Sequence, residues 1–93
     1  MIKSFTDKET EHLWNKGWSK KIPSNIQERA IKKLRLLDAS ANIKDLAFLP
    51  SNNLEALAGD KKGQYSIRIN DQYRICFIWD DRDAFDVEIC DYH

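Results

Sequence analysis

The sequence contains few of the residues that break or cross-link a chain: three glycines, two prolines and two cysteines among 93 residues. So few glycines and prolines exclude a collagen-like or low-complexity chain. Hydrophobic residues make up 42% of the chain, enough for one core without a metal ion or disulfide bonds to hold it together. Because a chain this short has room for one core only, we expect a single domain spanning residues 1–93.

Long apolar runs are also missing from the sequence. No stretch approaches the length of a membrane span, and the first residues, MIKSFTDKET, contain no apolar segment typical of a signal peptide. We therefore expect a cytoplasmic protein with no membrane partner. Cys76 and Cys90 match neither a CxxC pair nor a zinc-binding spacing, so both are predicted to be buried, reduced thiols.

The chain has no net charge, which argues weakly against a general nucleic-acid-binding protein. Its charges are nevertheless divided: residues 1–37 carry nine Lys or Arg against four Asp or Glu, and residues 38–93 carry six against eleven. The basic segment RAIKKLR is either a solvated helix face or a surface that contacts RNA. The acidic segment WDDRDAFD is interpreted as a solvated loop.

Two segments in the first half have the pattern of amphipathic helices. In TDKETEHLWNKG, Thr6 and Glu9 match a capping box and Gly17 can end the helix. In PSNIQERAIKKLRLLDAS, Ser24 and Gln27 match a second capping box. The second helix has an apolar stripe at helical spacing, formed by Ile26, Ala30, Leu34 and Leu37.

The second half changes to the alternation typical of β-strands. QYSIRIN, YRICFIW and FDVEICDY each place large apolar residues on one face, which predicts three strands in an antiparallel meander. MIKSF suits an opening strand or extended arm, and IKDLAFLP suits a short helix that ends before Pro50. Together these elements predict an α+β fold in which two N-terminal helices pack on one face of a small antiparallel sheet.

The loop between the first two strands sets their register. A three-residue loop at 70–72, NDQ, pairs Tyr65 with Phe77 and Ile67 with Ile75, so the large apolar residues share one face. A two-residue loop would instead set apolar residues opposite charged ones. The apolar face therefore favours the three-residue loop.

This register sets Arg68 opposite Arg74 on the other face. Two like charges in that position cost about 0.2–1 kcal/mol, which a bound anion or a nearby carboxylate would offset. If Trp79 pairs with Phe85 around the loop DDRDA, Arg74 also faces Cys90 on the third strand. The end of the chain would then lie beside the two arginines.

The last three residues of the sequence are Asp91, Tyr92 and His93. Paired guanidinium groups suit a phosphate, and a nearby Asp and His suit proton transfer near neutral pH. An ordinary ion pair between Arg74 and Glu88 would explain that arginine as well. The pattern by itself leaves a phosphate site and a structural ion pair as open alternatives.

The segment LEALAGDKKGQYSIRINDQYRICFIW and the ending VEICDYH resemble the HigB-type toxins of the RelE/ParE superfamily, also called plasmid maintenance killer proteins. The resemblance covers nearly the whole chain. Its most specific parts are GDKKGQYSIR at 59–68, YRI at 73–75 and DYH at 91–93.

The resemblance implies a microbial-RNase-like fold and a ribosome-dependent mRNA endoribonuclease, or mRNA interferase. Such an enzyme cuts mRNA in the A site of the small ribosomal subunit and inhibits translation and growth. It further implies neutralisation by a HigA-type antitoxin, binding of operator DNA only through the antitoxin complex, and catalysis that needs no metal or other cofactor. An alternative within the superfamily is a ParE-like toxin that inhibits DNA gyrase by binding, and a second alternative is a non-toxic interaction module.

The resemblance also assigns roles to residues. The implied catalytic residues are Arg68, Arg74, Asp91, Tyr92, His93 and Glu55. The implied RNA-binding residues are Lys61, Lys62 and Tyr65. In this assignment the arginines hold the scissile phosphate, and Tyr92 stacks on a base or hydrogen-bonds near the 2′-hydroxyl group.

The chain departs from some relatives in the segment before Gly59. Those relatives have a histidine where this chain has Glu55 and a lysine where it has Ala58. Either Glu55 is the general base, or Asp91 and His93 carry out proton transfer. We favour a supporting role for Glu55, because a neighbouring arginine would stabilise its carboxylate and weaken it as a proton acceptor.

Overall fold

The computed structural model describes residues 1–57 and 63–91. Within these ranges the chain forms three helices, a 3₁₀ turn and four strands. The elements in chain order are α1 (Lys8–Lys16), α2 (Ser24–Ala39), α3 (Ile43–Ala47), the 3₁₀ turn (Pro50–Asn52), β1 (Glu55–Ala56), β2 (Gln64–Arg68), β3 (Tyr73–Asp80) and β4 (Asp83–Asp91). None of the helices in residues 1–57 and 63–91 combines the length and the apolarity needed to cross a membrane.

The four strands form one antiparallel sheet in the order β1-β2-β3-β4, so the predicted meander and the α+β fold are confirmed. The short strand β1 was not predicted, because two residues cannot show an alternating pattern. Residues 1–5 form the predicted extended arm: Ile2 bridges Ala84 and Phe5 bridges Val87, both in parallel to β4.

The core lies between α1, α2 and one face of the sheet. The predicted stripe of α2 is confirmed, since all four of its residues are buried. The buried apolar residues are Leu13, Ile22, Ile26, Ala30, Leu34, Leu37, Leu46, Ile67, Ile69, Ile75, Phe77, Ala84 and Val87. Each fully buried Leu, Ile, Val or Phe side chain contributes about 1.5–3 kcal/mol to the free energy of unfolding. This layer therefore supplies most of the stability.

The predicted register between β2 and β3 is confirmed, with Tyr65 opposite Phe77 and Arg68 opposite Arg74. The side chain of Asn70 stabilises the connecting loop, because its Oδ1 accepts hydrogen bonds from the backbone nitrogens of Gln72 (2.9 Å) and Tyr73 (2.7 Å). An Asn at this position mimics a backbone turn.

The predicted register at the start of β4, next to the turn from β3, is wrong. Trp79 pairs with Ala84 rather than with Phe85, because the register shifts by one residue between Cys76 and Ile78. Asp86 lies at this irregularity in a left-handed conformation, with φ of 52°. The extra residue turns Phe85 away from the core face and puts Ala84 there in its place, whereas Val87 stays on the core face as predicted.

The other end of β4 keeps the predicted register, since Arg74 lies opposite Cys90. The connection to β3 is shorter than the predicted loop DDRDA: Asp80 pairs with Asp83, which leaves Asp81 and Arg82 as a two-residue turn. Asp81 has a φ of 59°, as such tight hairpin turns require.

Both predicted capping boxes are wrong. Asp7, not Thr6, caps α1, because its carboxylate accepts hydrogen bonds from the backbone nitrogen and the hydroxyl group of Thr10, at 3.2 and 2.6 Å. Gly17 ends this helix in a left-handed conformation, as predicted. The described residues provide no side-chain cap for α2, and the amide of Gln27 instead bonds to the backbone of Ser19.

The corrected cap predicts unequal effects of two neighbouring substitutions. We expect Asp7→Ala to lower the free energy of unfolding by about 0.5–2 kcal/mol, because α1 loses its N-terminal acceptor. Thr6→Ala should change it by less than about 0.5 kcal/mol. Urea denaturation followed by tryptophan fluorescence measures both values, and equal losses in the two variants would contradict the assignment of the cap.

Candidate functional site

The two faces of the sheet differ in chemistry. One face packs on α1 and α2, and we call the opposite face the outer face. Paired positions in the ladder place Glu55, Ser66, Arg68, Arg74, Cys76, Glu88 and Cys90 on the outer face. Strand alternation therefore gathers ionisable and hydrogen-bonding side chains from four strands on one surface.

Arg74 lies on the outer face near the start of β3, between Arg68 of β2 and Cys90 of β4. Although it is charged, it is only 7% exposed. Its Nε donates to the hydroxyl group of Ser66 at 2.8 Å, and its Nη2 donates to the carbonyl groups of Ser66 at 3.2 Å and of Asn53. These hydrogen bonds compensate the removal of the guanidinium group from water and fix the plane in which it lies.

The Asn53 carbonyl reaches Arg74 because of the backbone around the 3₁₀ turn. Pro50 begins the turn, and the N–H of Asn53 donates to the Pro50 carbonyl at 3.0 Å. Asn53 itself is left-handed, with φ of 42° and ψ of 56°, a conformation that Asn tolerates better than most residues. The chain thus reverses beside Arg74 and presents an acceptor to it.

Glu55 lies next to Arg74 on the outer face. It pairs with Ser66 across β1 and β2, and its Oε1 is 3.9 Å from Nη1 of Arg74. Among the carboxylates of residues 1–57 and 63–91, the one within ion-pair distance of Arg74 is therefore Glu55 and not Glu88. The Glu55 side chain is 50% exposed, so solvent weakens this long ion pair.

Arg68 lies at the edge of the outer face, opposite Arg74, and forms an exposed ion pair with Asp71. It also contributes to a basic cluster that includes Arg29 and Lys33 of α2. Burial, and then repulsion from Arg29 and Arg68, lowers the pKa of Lys33. The positive charge around Arg68 therefore continues onto α2.

A shallow cleft extends the basic cluster. Its lining residues come from α2 and from the loop between β2 and β3, and they are Asn25, Glu28, Arg29, Lys32 and Asn70. Lys32 is paired with Glu28 at 3.7 Å along the helix. The mixed lining, with the basic cluster at its border, suits an anionic chain more than a compact apolar ligand.

The two cysteines lie on the outer face and form no disulfide bond. Both were predicted to be buried, and both are half-buried. The pKa of the Cys90 thiol is raised, mainly by a hydrogen bond with Cys76 and to a smaller extent by burial. Since the thiolate is the nucleophilic form, Cys90 is a poor nucleophile at neutral pH.

The structure does not bring all of the predicted site residues together. Tyr65 lies on the core face and stacks on Phe77, with ring centres 6.2 Å apart. Asp91 pairs with Tyr73 across β3 and β4, and its carboxylate accepts a hydrogen bond from Gln72 at 3.1 Å. It lines a groove on the side of the sheet that the helices cover. Neither side chain shares the outer face with Arg74.

Four further predicted residues lie outside the described residues: Lys61, Lys62, Tyr92 and His93. Arg68, Arg74 and Glu55 are the predicted residues that the structure places together. Ser66 and the Asn53 carbonyl were missed. Strand alternation could have placed Ser66 beside Arg74, whereas a backbone carbonyl has no signal in the sequence.

Comparison with known proteins identifies relatives of this chain. The profile of a family described as "RelE-like toxin of type II toxin-antitoxin system HigB" matches residues 3–93. Toxin HigB-1 from Vibrio cholerae serotype O1 is 40% identical over 82 residues, covering 87% of this chain and 86% of that protein. Endoribonuclease HigB from Proteus vulgaris is 32% identical over 93 residues, which is 100% of both chains. The resemblance inferred from the sequence is confirmed.

Solved structures share the fold. The YoeB dimer from Staphylococcus aureus matches with a TM-score of 0.58 and 18% identity, over 99% of this chain and 94% of that chain. The YoeB/ParE toxin from Agrobacterium tumefaciens matches with the same score and identity, over 99% and 97%. At this level of identity the two structures support the fold and nothing more specific.

The contacts of Arg74 predict the effect of removing one hydroxyl group. We expect Ser66→Ala to lower the free energy of unfolding by about 1–3 kcal/mol, because a buried guanidinium nitrogen loses its acceptor. The control is Ser51→Ala, whose exposed hydroxyl group accepts a 3.5 Å hydrogen bond from Lys33. It should change stability by less than about 0.5 kcal/mol. If thermal and urea denaturation gave the two variants equal stability, Ser66 would not hold Arg74.

Proposed function

Because the chain belongs to the HigB-like family of RelE-like toxins from type II toxin–antitoxin systems, we propose that it is an endoribonuclease that cuts mRNA in the ribosomal A site. A type II system implies an antitoxin as partner, and we propose a HigA-type antitoxin that binds operator DNA together with the toxin. The name of the Proteus vulgaris relative supports the reaction class. The proposal places the protein in the cytoplasm, where ribosomes translate.

The observation that carries the proposal is the position of Arg74. Its guanidinium group is held in one plane by Ser66 and Asn53, and the residue paired with Arg74 across β2 and β3 is a second arginine, Arg68. Such a preorganised cation stabilises negative charge without having to reorient during the reaction. A phosphate that bridges the two arginines would also relieve the repulsion between them.

The proposed reaction uses the chemistry of RNA itself. The ribose 2′-oxygen attacks the adjacent phosphorus and loses its proton to a general base, while the bond from phosphorus to the 5′-oxygen breaks. The departing 5′-oxygen takes a proton from a general acid, so the products are a 2′,3′-cyclic phosphate and a 5′-hydroxyl end. Arg74 and Arg68 stabilise the charge that develops on the phosphorane.

The remaining catalytic roles are assigned to residues near the end of the chain. We propose that His93 carries the proton-transfer function and that Tyr92 contacts the base or the 2′-hydroxyl group. Asp91 is left out of this proposal, because it lies on the opposite face of the sheet from Arg74. Glu55 supports Arg74 through their 3.9 Å ion pair. We assign Tyr65 to the core rather than to RNA, because it packs on Phe77 on the opposite face.

The basic cluster and two lysines provide sequence-independent contacts to RNA in this proposal. Arg29 and Arg68 each repel Lys33 in the free protein, and binding of phosphate groups would offset that repulsion. Lys61 and Lys62 serve the same purpose as positioning charges. These contacts would orient the toxin on ribosomal RNA or on the message.

Substitution of the proposed catalytic residues tests the reaction. We expect Arg74→Ala and His93→Ala each to abolish growth inhibition and to remove in-frame mRNA cuts, mapped as 5′ ends after induction. Both variants should still bind the antitoxin. The matched control is Arg82→Ala, which removes an exposed arginine from the turn between β3 and β4 and should remain toxic.

The same experiment separates the alternatives. A double variant that carries Arg74→Ala and His93→Ala and remains fully toxic would refute the nuclease assignment. Toxicity accompanied by gyrase inhibition and intact mRNA would instead support a ParE-like toxin. Absence of toxicity in the wild type, with intact mRNA, would support an interaction module.

Charge reversal in the basic cluster tests the contacts to RNA. We expect Arg29→Glu to weaken ribosome binding and to reduce the dependence of binding on salt concentration, because fewer counterions are released. Lys16→Glu makes the same change of net charge at the end of α1 and should leave both quantities unchanged. Sedimentation binding assays over a range of salt concentrations measure the slopes, and equal slopes for the two variants would exclude this role of Arg29.

A further inference from the structure

A buried polar chain connects α2 to Arg74 through the 3₁₀ turn, and its central residue is Asn52. The side chain of Asn52 is 0% exposed. Its Oδ1 accepts a hydrogen bond from Nζ of Lys33, and its Nδ2 donates to the carbonyl group of Leu46 at 2.9 Å. Asn52 therefore ties the turn both to α2 and to the end of α3.

The residue that follows Asn52 contacts Arg74 directly. The carbonyl group of Asn53 accepts from Nη2 of Arg74, and the left-handed backbone of Asn53 determines where this carbonyl points. Only the φ and ψ angles of Asn53 separate its carbonyl group from the planar peptide that joins it to Asn52, so as long as the left-handed conformation is kept, a displacement of Asn52 also displaces this carbonyl. The position of the Arg74 guanidinium group thus depends on the hydrogen bonds that hold the side chain of Asn52.

We propose that Asn52 is a positioning residue for Arg74: it anchors the turn so that the Asn53 carbonyl holds the guanidinium group in its reactive orientation. The inference rests on the proposed function of Arg74 in binding the scissile phosphate. Asn52 is fully buried and therefore acts through the turn and not by contact with RNA. Lys33 of α2 contributes to this anchoring through the hydrogen bond that its Nζ donates to the Asn52 amide.

An amide is the side chain that this position requires. Lys33 needs an acceptor and the Leu46 carbonyl needs a donor, and the Asn amide presents both on two separate atoms, Oδ1 and Nδ2. An Asp would keep the acceptor and lose the donor. An Ala would leave both partners without their hydrogen bonds and the turn without its anchor.

The experiment compares Asn52→Ala with the control Asn15→Ala, which removes an exposed amide from α1. We expect Asn52→Ala to lower the single-turnover cleavage rate by roughly 10- to 100-fold, the range that a small misplacement of a catalytic group costs. Affinity for the ribosome should fall much less than the cleavage rate, because Asn52 is buried and does not itself contact RNA. In ¹⁵N NMR spectra the guanidinium group of Arg74 should rotate faster about its Cζ–Nε bond than in the wild type and in the control.

A double-variant comparison separates positioning from a general loss of structure. If Asn52 acts through Arg74, adding Asn52→Ala to Arg74→Lys, a variant that keeps the charge and loses the planar guanidinium contacts, causes no further loss of the remaining cleavage. If Asn52 supports the fold only, the two losses multiply. Unchanged rotation of the Arg74 guanidinium group in Asn52→Ala, or multiplied losses in the double variant, would overturn the proposal.

A second variant covers the case in which Asn52→Ala does not fold. Lys33→Met keeps an apolar stem at the edge of α2 and removes the donor to Asn52, and it should also speed the rotation of the Arg74 guanidinium group. Rotation unchanged in Lys33→Met would contradict the proposed chain. The NMR measurement does not require nuclease activity, so a wild-type protein that cuts no RNA would refute the proposed function and leave this test intact.

Discussion

The hydrogen bonds between Arg74 and its two neighbours, Ser66 and Asn53, are the interaction on which the rest of the site depends. A guanidinium group that loses its water without acceptors costs several kcal/mol, so its burial at 7% exposure requires that these acceptors be in place. Ser66 is supplied by the adjacent strand and Asn53 by the turn. The site is therefore a product of the sheet register and the turn together, and a change in either displaces the charge.

The division of the sheet into two faces explains how a chain of 93 residues has room for both a core and a site. Alternate residues of β2 and β3 bury Ile67, Ile75 and Phe77 under the helices, and the residues between them form the outer face. The hydrophobic free energy of the core holds Arg68 opposite Arg74 in spite of their repulsion. The packing of one face thus fixes which charged residues are neighbours on the other.

Much of this arrangement could be predicted from the sequence, because it follows from alternation. The helix stripe, the meander and the pairing of Arg68 with Arg74 all depend on a repeating apolar pattern. The wrong predictions are local, because each depends on the backbone conformation of one residue. The bulge depends on the left-handed conformation of Asp86, and without it the alternating pattern places Phe85 on the core face. The cap depends on the extended conformation of Asp7, and Thr6 is an equally suitable capping residue by type.

The site was predictable only in part for the same reason. Alternation could place Glu88 and Cys90 on the face of Arg74, but no pattern in the sequence shows that the chain after Pro50 turns to offer a carbonyl group to Arg74.

The most direct measurement is the structure of the toxin on a ribosome whose message carries a 2′-O-methyl group at the cleavage position. The account predicts the Arg74 guanidinium group within hydrogen-bonding distance of the scissile phosphate. A message phosphate bound elsewhere, with Arg74 covered by protein contacts alone, would contradict it.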